Sequence, residues 1–449
     1  MEQRESTSEA YLRQLIQSFK RLRILDMHAT NVRKVPRSIC KLKHLTYLDL
    51  SHNSALKRLP NSIKRLQNLQ TLNLSHCIAL EELPSEIRKL VNLWNLDIDD
   101  KARAKNYCRL RELNGLNEIQ GSLRIENLGC ITNAVLESKA ANLIGKHSLE
   151  SLELHWGYHE SDDAVIRDRD EALLDGLRPH SNLRNLMIDG YRGESFPRWM
   201  METFVFFLPN LVEVSLQLCQ RCKHLPQLGQ LPHLESLWIW FLTELEYIEL
   251  DHSSTLTTSF PRLLSLRIGY CENLKAMPLI PHLEELMLSK VNPELINHIF
   301  GLNKLKRLII LEMELLECLP ECLESPTSLE SLIIWKCPRL TSLSLSMRNL
   351  SNLQHLNFRN CEELDLSKDE SGNILDLQGL KSLRSVDIVD VPKLASLPPW
   401  LLQANSLEQL SIKKCLNLKA LSEQIEALQS LQSLEIVWCP SLRSLPEGM

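Results

Sequence analysis

"SLIIWKCPRLTSLS", Ser331–Ser344, returns later in the chain as "SLEIVWCPSLRSLP", Ser433–Pro446. Leu332 and Ile334 match Leu434 and Ile436, and the pair Cys337–Pro338 matches Cys439–Pro440. Working outward from these two stretches, the frame is L-x-x-L-x-L, with the opening leucine as position 1. Clear frames open at Leu22, Leu45, Leu69 and Leu93, at Leu305, Leu329 and Leu353, and at Leu383, Leu407 and Leu431. Looser frames open at Leu149, Leu183, Leu211, Leu234, Leu263 and Leu283, with a degenerate copy near Leu123.

A self-similar period of this length, built on L-x-x-L-x-L, is that of leucine-rich repeats. Each coil is predicted to hold a short strand over positions 3 to 7. The side chains of positions 4 and 6 then point inward and those of 5 and 7 outward, because strand side chains alternate. Stacked coils give an α/β solenoid, an arc or horseshoe of about 17 coils with a parallel β-sheet on its concave face. Residues 22–449 form the solenoid, and residues 1–21 read as an N-terminal segment that caps it incompletely. In the return limbs "VPRSICKL", "LPNSIKRL" and "LPSEIRKL", Pro36, Pro60 and Pro84 stand where no strand donor is needed. Ile39, Ile63 and Ile87 refill the core from the other side.

The same frame explains the cysteines. Position 9 holds Asn53, then Cys77, Cys219, Cys271, Cys337, Cys361, Cys415 and Cys439. Asn can hydrogen-bond backbone where the chain turns inward, and Cys fills the slot as a small buried group with a weak donor. Cys219 and Cys222 form a C-x-x-C, but both fall on core positions and no second C-x-x-C exists to complete a zinc site. His52 and His76 share position 8, one ladder step apart, and lack a third ligand. No metal and no cofactor is therefore expected.

In a chain of 449 residues, 44% hydrophobic and 24% charged content describes a folded profile. The net charge of −5 argues against nucleic acid as the main partner. An odd cysteine total of 13, no secretory segment in "MEQRESTSEAYLRQLIQ" and no long apolar run point to the cytoplasm, with the nucleus open, and to no membrane span. There is no G-x-S-x-G, no H-E-x-x-H and no assembled nucleophile set, so no enzyme is expected. Two stretches break the period: an insertion over 99–120 and another over 157–180, the latter read as an acidic loop running into a short helix, Ala172 to Leu177.

Three blocks carry a more specific signal: "LRELNGLNEIQGSLRIENLGCI" (Leu110 to Ile131), "GLRPHSNLRNLMIDGYRGESFPRWM" (Gly176 to Met200) and "LPNLVEVSLQLCQRCKHLPQLGQLPHLESLWI" (Leu208 to Ile239). In this order they resemble the leucine-rich region of plant disease-resistance proteins of the coiled-coil, nucleotide-binding (NB-ARC) type, over nearly the whole chain. The resemblance implies an intracellular immune-receptor module that senses a pathogen effector, or a host protein altered by one, and restrains an NB-ARC switch domain in cis or in trans. No G-x-x-x-x-G-K-[ST] is present, so nucleotide binding does not carry over, and the chain reads as a fragment without the switch. Two alternatives stay open: a signalling scaffold of the Ras-suppressor kind, which shares L-P-x-x-I-x-x-L, and a ubiquitin-ligase substrate adaptor.

Outward positions 5 and 7 name the candidate surface. Trp238, Trp240, Met287, Ile309, Leu311, Ile333 and Trp335 fall on them, Phe241 and Tyr270 fall on position 8, and Arg267 and Arg359 interleave. Contiguous exposed apolar surface marks interaction sites, and Trp, Tyr and Arg dominate hot spots. Along the same face Asp26, Asp49, Asp97, Asp99 and Glu153 make the first half acidic, whereas Arg359, Lys413 and Lys414 come later, an asymmetry suited to orienting a partner.

Overall fold

A computed structural model describes residues 7–80, 83–84, 87, 89–90, 92–93, 95–99, 110–117, 119–157, 164–248, 259–320, 327–369, 371–421 and 423–443. The chain divides into two compact units, Met1–Leu234 and Glu235–Met449. Both are stacks of leucine-rich coils.

In the first unit the strands are β1 (Ile24–Asp26), β2 (Tyr47–Asp49), β3 (Thr71–Leu74), β4 (Asn95–Asp99), β5 (Gly121–Glu126), β6 (Leu149–His155), β7 (Asn185–Asp189) and β8 (Glu213–Gln217). The second holds β9 (Ser236–Trp240), β10 (Ser265–Gly269), β11 (Glu285–Ser289), β12 (Arg307–Leu311), β13 (Ser331–Trp335), β14 (His355–Arg359), β15 (Ser385–Val389), β16 (Gln409–Lys413) and β17 (Ser433–Val437). Successive strands within each unit pair in parallel, in register apart from a shift at Gly121/Ser122 between β5 and β6: Leu308 lies beside Leu332, and Leu332 beside Leu356. The core is therefore a pair of leucine ladders. Leu332 and Ile334 are both 0% exposed, as are Leu308 and Ile310. Register also corrects one frame: Leu123 pairs with Leu96 and Leu152, which places it at position 4 of its coil rather than at the opening.

The return limbs are 3-10 turns, Arg37–Lys41 and Asn61–Arg65 among them, each preceded by an extended proline. Ile39 and Ile63 drop from them into the core at 0% exposure. Position 9 works as its chemistry requires. Asn53 Nδ2 donates to the Met27 and Leu50 carbonyls at 2.8 Å each, while Asn53 Oδ1 accepts from Val32 N at 2.8 Å. In the next coil Cys77 Sγ donates to the same Leu50 carbonyl.

Position 8 holds a feature that periodicity does not reveal. From Ala29 to Trp438 this residue takes the left-handed conformation in coil after coil, with φ of 57° at His52, 58° at Phe241, 55° at Tyr270, 54° at Lys336 and 57° at Lys414. Its N–H adds one last rung to the sheet, Phe241 N to Gly269 O at 2.9 Å and Lys336 N to Arg359 O at 2.8 Å, before the chain turns inward. In the coil opened by Leu149 the left-handed residue comes one place later, at Gly157.

The ends and insertions differ from expectation. Helix α1 (Thr7–Ser18) lies over the first coil with Leu12 and Ile16 fully buried, a fuller cover than the sequence of 1–21 suggests. At the other end Leu434 and Ile436 are half-buried, and so is Cys439, which the repeat frame places inside; among the described residues β17 has a neighbour on one side only. Besides α2 (Ala134–Ala141), the first unit contains α3 (Ala164–Gly176), which starts well before Ala172. The expected acidic loop at 158–163 lies outside the described residues, as does 100–109 of the first insertion. What pins α3 is a buried carboxylate. Asp170 is 0% exposed and receives Arg192 Nε at 2.7 Å and Nη2 at 3.2 Å, while Arg169 Nη2 donates to the Gly129 carbonyl at 2.6 Å. Lys146, also 0% exposed, closes the 3-10 turn Leu110–Gly115 by donating to the Leu113 and Leu116 carbonyls at 2.6 and 3.1 Å.

Candidate functional site

Parallel register sets positions 5 and 7 of neighbouring coils side by side on the open face of the sheet, opposite the leucine ladders. On β9 to β13 the position-5 row runs Trp238, Arg267, Met287, Ile309, Ile333, and the position-7 row runs Trp240, Gly269, Ser289, Leu311, Trp335. Trp238, Trp240, Met287, Ile309, Leu311 and Ile333 are all half-buried, and Trp335 is 38% exposed. The polar alternation usual on a solvated sheet face is missing here.

The aromatic residues are not independent. Trp238 and Trp240 meet edge to face at 6.0 Å between ring centroids, Trp240 meets Tyr270 at 5.5 Å, and Phe241 stacks on Tyr270 at 4.1 Å. Offset and edge-to-face contacts of this kind hold rings in fixed relative orientations. Arg267 lies 5.8 Å over Trp238 and is fixed there by Glu285, its Nη2 donating to Oε1 at 2.9 Å. Tyr270 donates its hydroxyl to Glu312, which also receives Lys336 Nζ at 2.9 Å. Those two donors hold the Glu312 carboxyl below its ordinary range, and the carboxylate in turn pushes the Tyr270 phenol up. Trp335 stands apart from the cluster; its Nε1 donates to Asn360 Oδ1 at 3.1 Å. Arg359, next to it on β14, donates to Asn357 and Asp387.

Those partners correct the expected charge asymmetry. Two of the three later cations are neutralised: Arg359 is paired with Asp387, and Lys413 with Glu435 at 2.7 Å, while Lys414 is exposed. The earlier acids are also engaged in part. Asp49 is 7% exposed and accepts from Ser51 N, Tyr47 Oη and Asn73 Nδ2. Asp26 is bound to His28, and the side chains of Asp97 and Asp99 lie outside the described residues.

Sequence reasoning missed a charged knot in the first unit. His155, at position 7 of β6, is 9% exposed; its Nδ1 lies 2.9 Å from Asp189 Oδ2 and its Nε2 3.4 Å from Glu153 Oε2. Arg124 bridges Glu126 and Glu153 beside it. Burial pulls the imidazole pKa down, but its hydrogen bonds to the Asp189 and Glu153 carboxylates more than offset it and hold it at about 9. The available signal was register: His155 and Asp189 both occupy position 7 in adjacent coils.

For the metal candidates, His52 and His76 do meet, with ring centroids 4.3 Å apart. Cys219 and Cys222 are both 0% exposed and turn their thiols onto carbonyls, Cys219 onto Gln217 at 3.3 Å and Cys222 onto Gly193 at 3.5 Å. Among the described residues no three His, Cys, Asp or Glu side chains are placed to hold one ion.

Residues 110–242 match the family model of R13L1/DRL21 leucine-rich repeats, and residues 20–78 match a general leucine-rich-repeat model. This is a leucine-rich-repeat chain, similar in sequence to plant disease-resistance proteins. It is 37% identical over 394 residues to the putative disease resistance protein RGA1 of Solanum bulbocastanum, covering 80% of this chain and 38% of that one. It is 29% identical over 346 residues to the putative disease resistance RPP13-like protein 1 of Arabidopsis thaliana, covering 72% of this chain and 32% of the relative. The chain thus spans less than two fifths of the length of either relative. Among solved structures, a leucine-rich-repeat protein of Leptospira interrogans is similar with a TM-score of 0.43 and 20% identity, covering 96% of this chain and 93% of that one. The R13L1/DRL21 match encloses α2, α3, Lys146, the Asp170 pair and β9, so the irregular middle coils belong to the repeat type and are not accidents of this chain. Among the described residues no helix of this leucine-rich-repeat chain is long and apolar enough to cross a membrane.

Proposed function

We propose that this chain is the protein-recognition module of an intracellular plant immune receptor, and that it binds a pathogen effector, or a host protein altered by one, through the open face of β9–β14. The observation that carries this is the row of half-exposed Trp, Met and Ile side chains at positions 5 and 7, on a fold whose established use is protein contact. The relatives supply the setting, since both are named as disease-resistance proteins. An NB-ARC switch domain, in cis or in trans, is the second partner, no catalytic step is assigned to the chain, and its place of action is the cytoplasm or the nucleus. The test is a two-hybrid screen of the chain against pathogen effectors and host proteins, repeated with Trp335→Ala and Ile309→Asp. A genuine binder should lose about 2 kcal/mol or more of affinity for Trp335→Ala. The reading fails if no protein binds, or if every binder ignores both replacements.

A further inference from the structure

Position 7 of β10 is a glycine, and the space above it is filled. A Cβ built on Gly269 would lie 2.3 Å from Trp240 Cζ3 and 2.5 Å from Cε3, so the six-membered ring of Trp240 rests directly on the Gly269 backbone. Gly269 lies within an ordinary β-strand and is absent from the left-handed glycines. Its backbone would accept alanine; only the indole forbids it. Trp240 in turn fixes Trp238 and Tyr270, and Tyr270 fixes Phe241. One missing side chain therefore lays four aromatic residues into a single cluster. Along the position-5 row, Met287, Ile309 and Ile333 follow on the far side of Arg267.

Charge around this floor is already matched. Of the five Lys and Arg residues on positions 3 to 8 of β10–β14, four have carboxylate partners: Arg267 with Glu285, Lys290 with Glu314 at 3.7 Å, Lys336 with Glu312, and Arg359 with Asp387. Arg307, the fifth, sits at position 3, outside rows 5 and 7. A charged group brought onto this floor would break one of these pairs or be desolvated without a counter-charge, both unfavourable. An apolar group meets neither penalty and gains from burial.

We propose that β9–β13 form a preorganised platform for an uncharged, apolar segment of a partner protein, and that Gly269 is the positioning residue that seats it. This rests on the reading of the face as a contact surface and adds the chemistry of what it accepts. Preorganisation matters because ordering four large side chains on binding would otherwise reduce affinity.

The experiment has two arms on the full chain. In the first, near-ultraviolet circular dichroism is compared for the wild type, Gly269→Ala, Trp240→Ala and the double variant. Gly269→Ala should abolish the coupled tryptophan signal as fully as Trp240→Ala does, far-ultraviolet spectra should stay unchanged, and the double variant should melt no lower than Trp240→Ala alone. An unaltered tryptophan signal in Gly269→Ala overturns the seat. In the second arm, three labelled synthetic peptides share a Leu/Trp stripe and differ only in neutral, Glu or Lys flanks, with fluorescence polarisation as the readout. The neutral peptide should bind best, change its Kd less than about twofold between about 50 and about 500 mM salt, and weaken about tenfold or more in Gly269→Ala. Tighter binding of a charged peptide, a steep salt dependence, or no binding by any of the three overturns the proposal. If the two-hybrid binder holds the face through charge, this proposal falls while the contact-surface reading stands.

Discussion

Asn53 and Cys77 solve one problem with different atoms: both must supply a donor to the Leu50 carbonyl while fitting inside the turn. The thiol is the smaller answer, and its burial has a chemical consequence. Desolvation pushes the Cys337 thiol up to about 12 and the Cys361 thiol up to about 11, so the reactive thiolate is scarce at neutral pH. Among the described cysteines, native alkylation followed by mass spectrometry should therefore mark exposed Cys318 first and half-buried Cys40, Cys130 and Cys439 next, and leave Cys77, Cys337 and Cys361 untouched until denaturant is added. Rapid native labelling of the last three would contradict the position-9 assignment. His155 makes a prediction with a sign. Its folded pKa of about 9 exceeds its ordinary 6.5, so its contribution to stability is complete below about pH 6.5 and is lost as pH rises through 9. The contribution amounts to no more than about 3 kcal/mol at about 1.4 kcal/mol per pH unit. Wild type should lose melting temperature over that window more steeply than His155→Gln; equal slopes would show that the imidazole is not held protonated.

On the scale of the strand and its turn, the alternation of faces separates stability from recognition. Leu332 is 0% exposed and Trp335, three residues on, is 38% exposed. Leu332→Ala should cost about 2 to 5 kcal/mol in urea unfolding, whereas Trp335→Ala should cost less than about 1 kcal/mol. If the two variants unfold alike, the indole belongs to the core. The left-handed rung at position 8 has its own test. At Lys414, φ 57°, a β-branched side chain should be strained by about 1 to 2 kcal/mol, so Lys414→Val should destabilise and Lys414→Gly should not. Urea midpoints that rank the two variants in the opposite order would mean the turn relaxes out of the left-handed region.

Across the molecule, coils are stabilised by their neighbours, and protection should follow the neighbours present. Leu410 and Ile412 on β16 are 1% and 0% exposed, whereas Leu434 and Ile436 on β17 are half-buried. Amide exchange over 433–437 should accordingly outpace that of β13 to β16. The first coil should behave differently, because α1 covers it: Leu12→Asp should accelerate exchange in β1 and leave β16 unaffected. Uniform protection along the second unit would show that coil stability does not depend on stacking here.

By itself the sequence determined the repeat, the strand register and the outward row. A leucine ladder has one way to bury itself, and a one-residue slip would send Trp335 inward and Leu332 out. For the same reason the prolines at Pro36 and Pro60 and the cysteines at position 9 were legible as parts of a coil. Only tertiary structure decided what lies between coils. That His155 meets Asp189, that Arg192 reaches Asp170, and that four of the five cations at positions 3 to 8 of β10–β14 are paired all depend on side chains from different repeats meeting at distances no period encodes. The left-handed turn at position 8 was hidden because its residues, from Phe241 to Lys414, share no side-chain type; the constraint acts on backbone and is enforced by the next coil's carbonyl. Gly269 read as an empty outward position. It is occupied by the indole of a neighbouring strand, and only the packing of Trp240 across it shows why no side chain stands there.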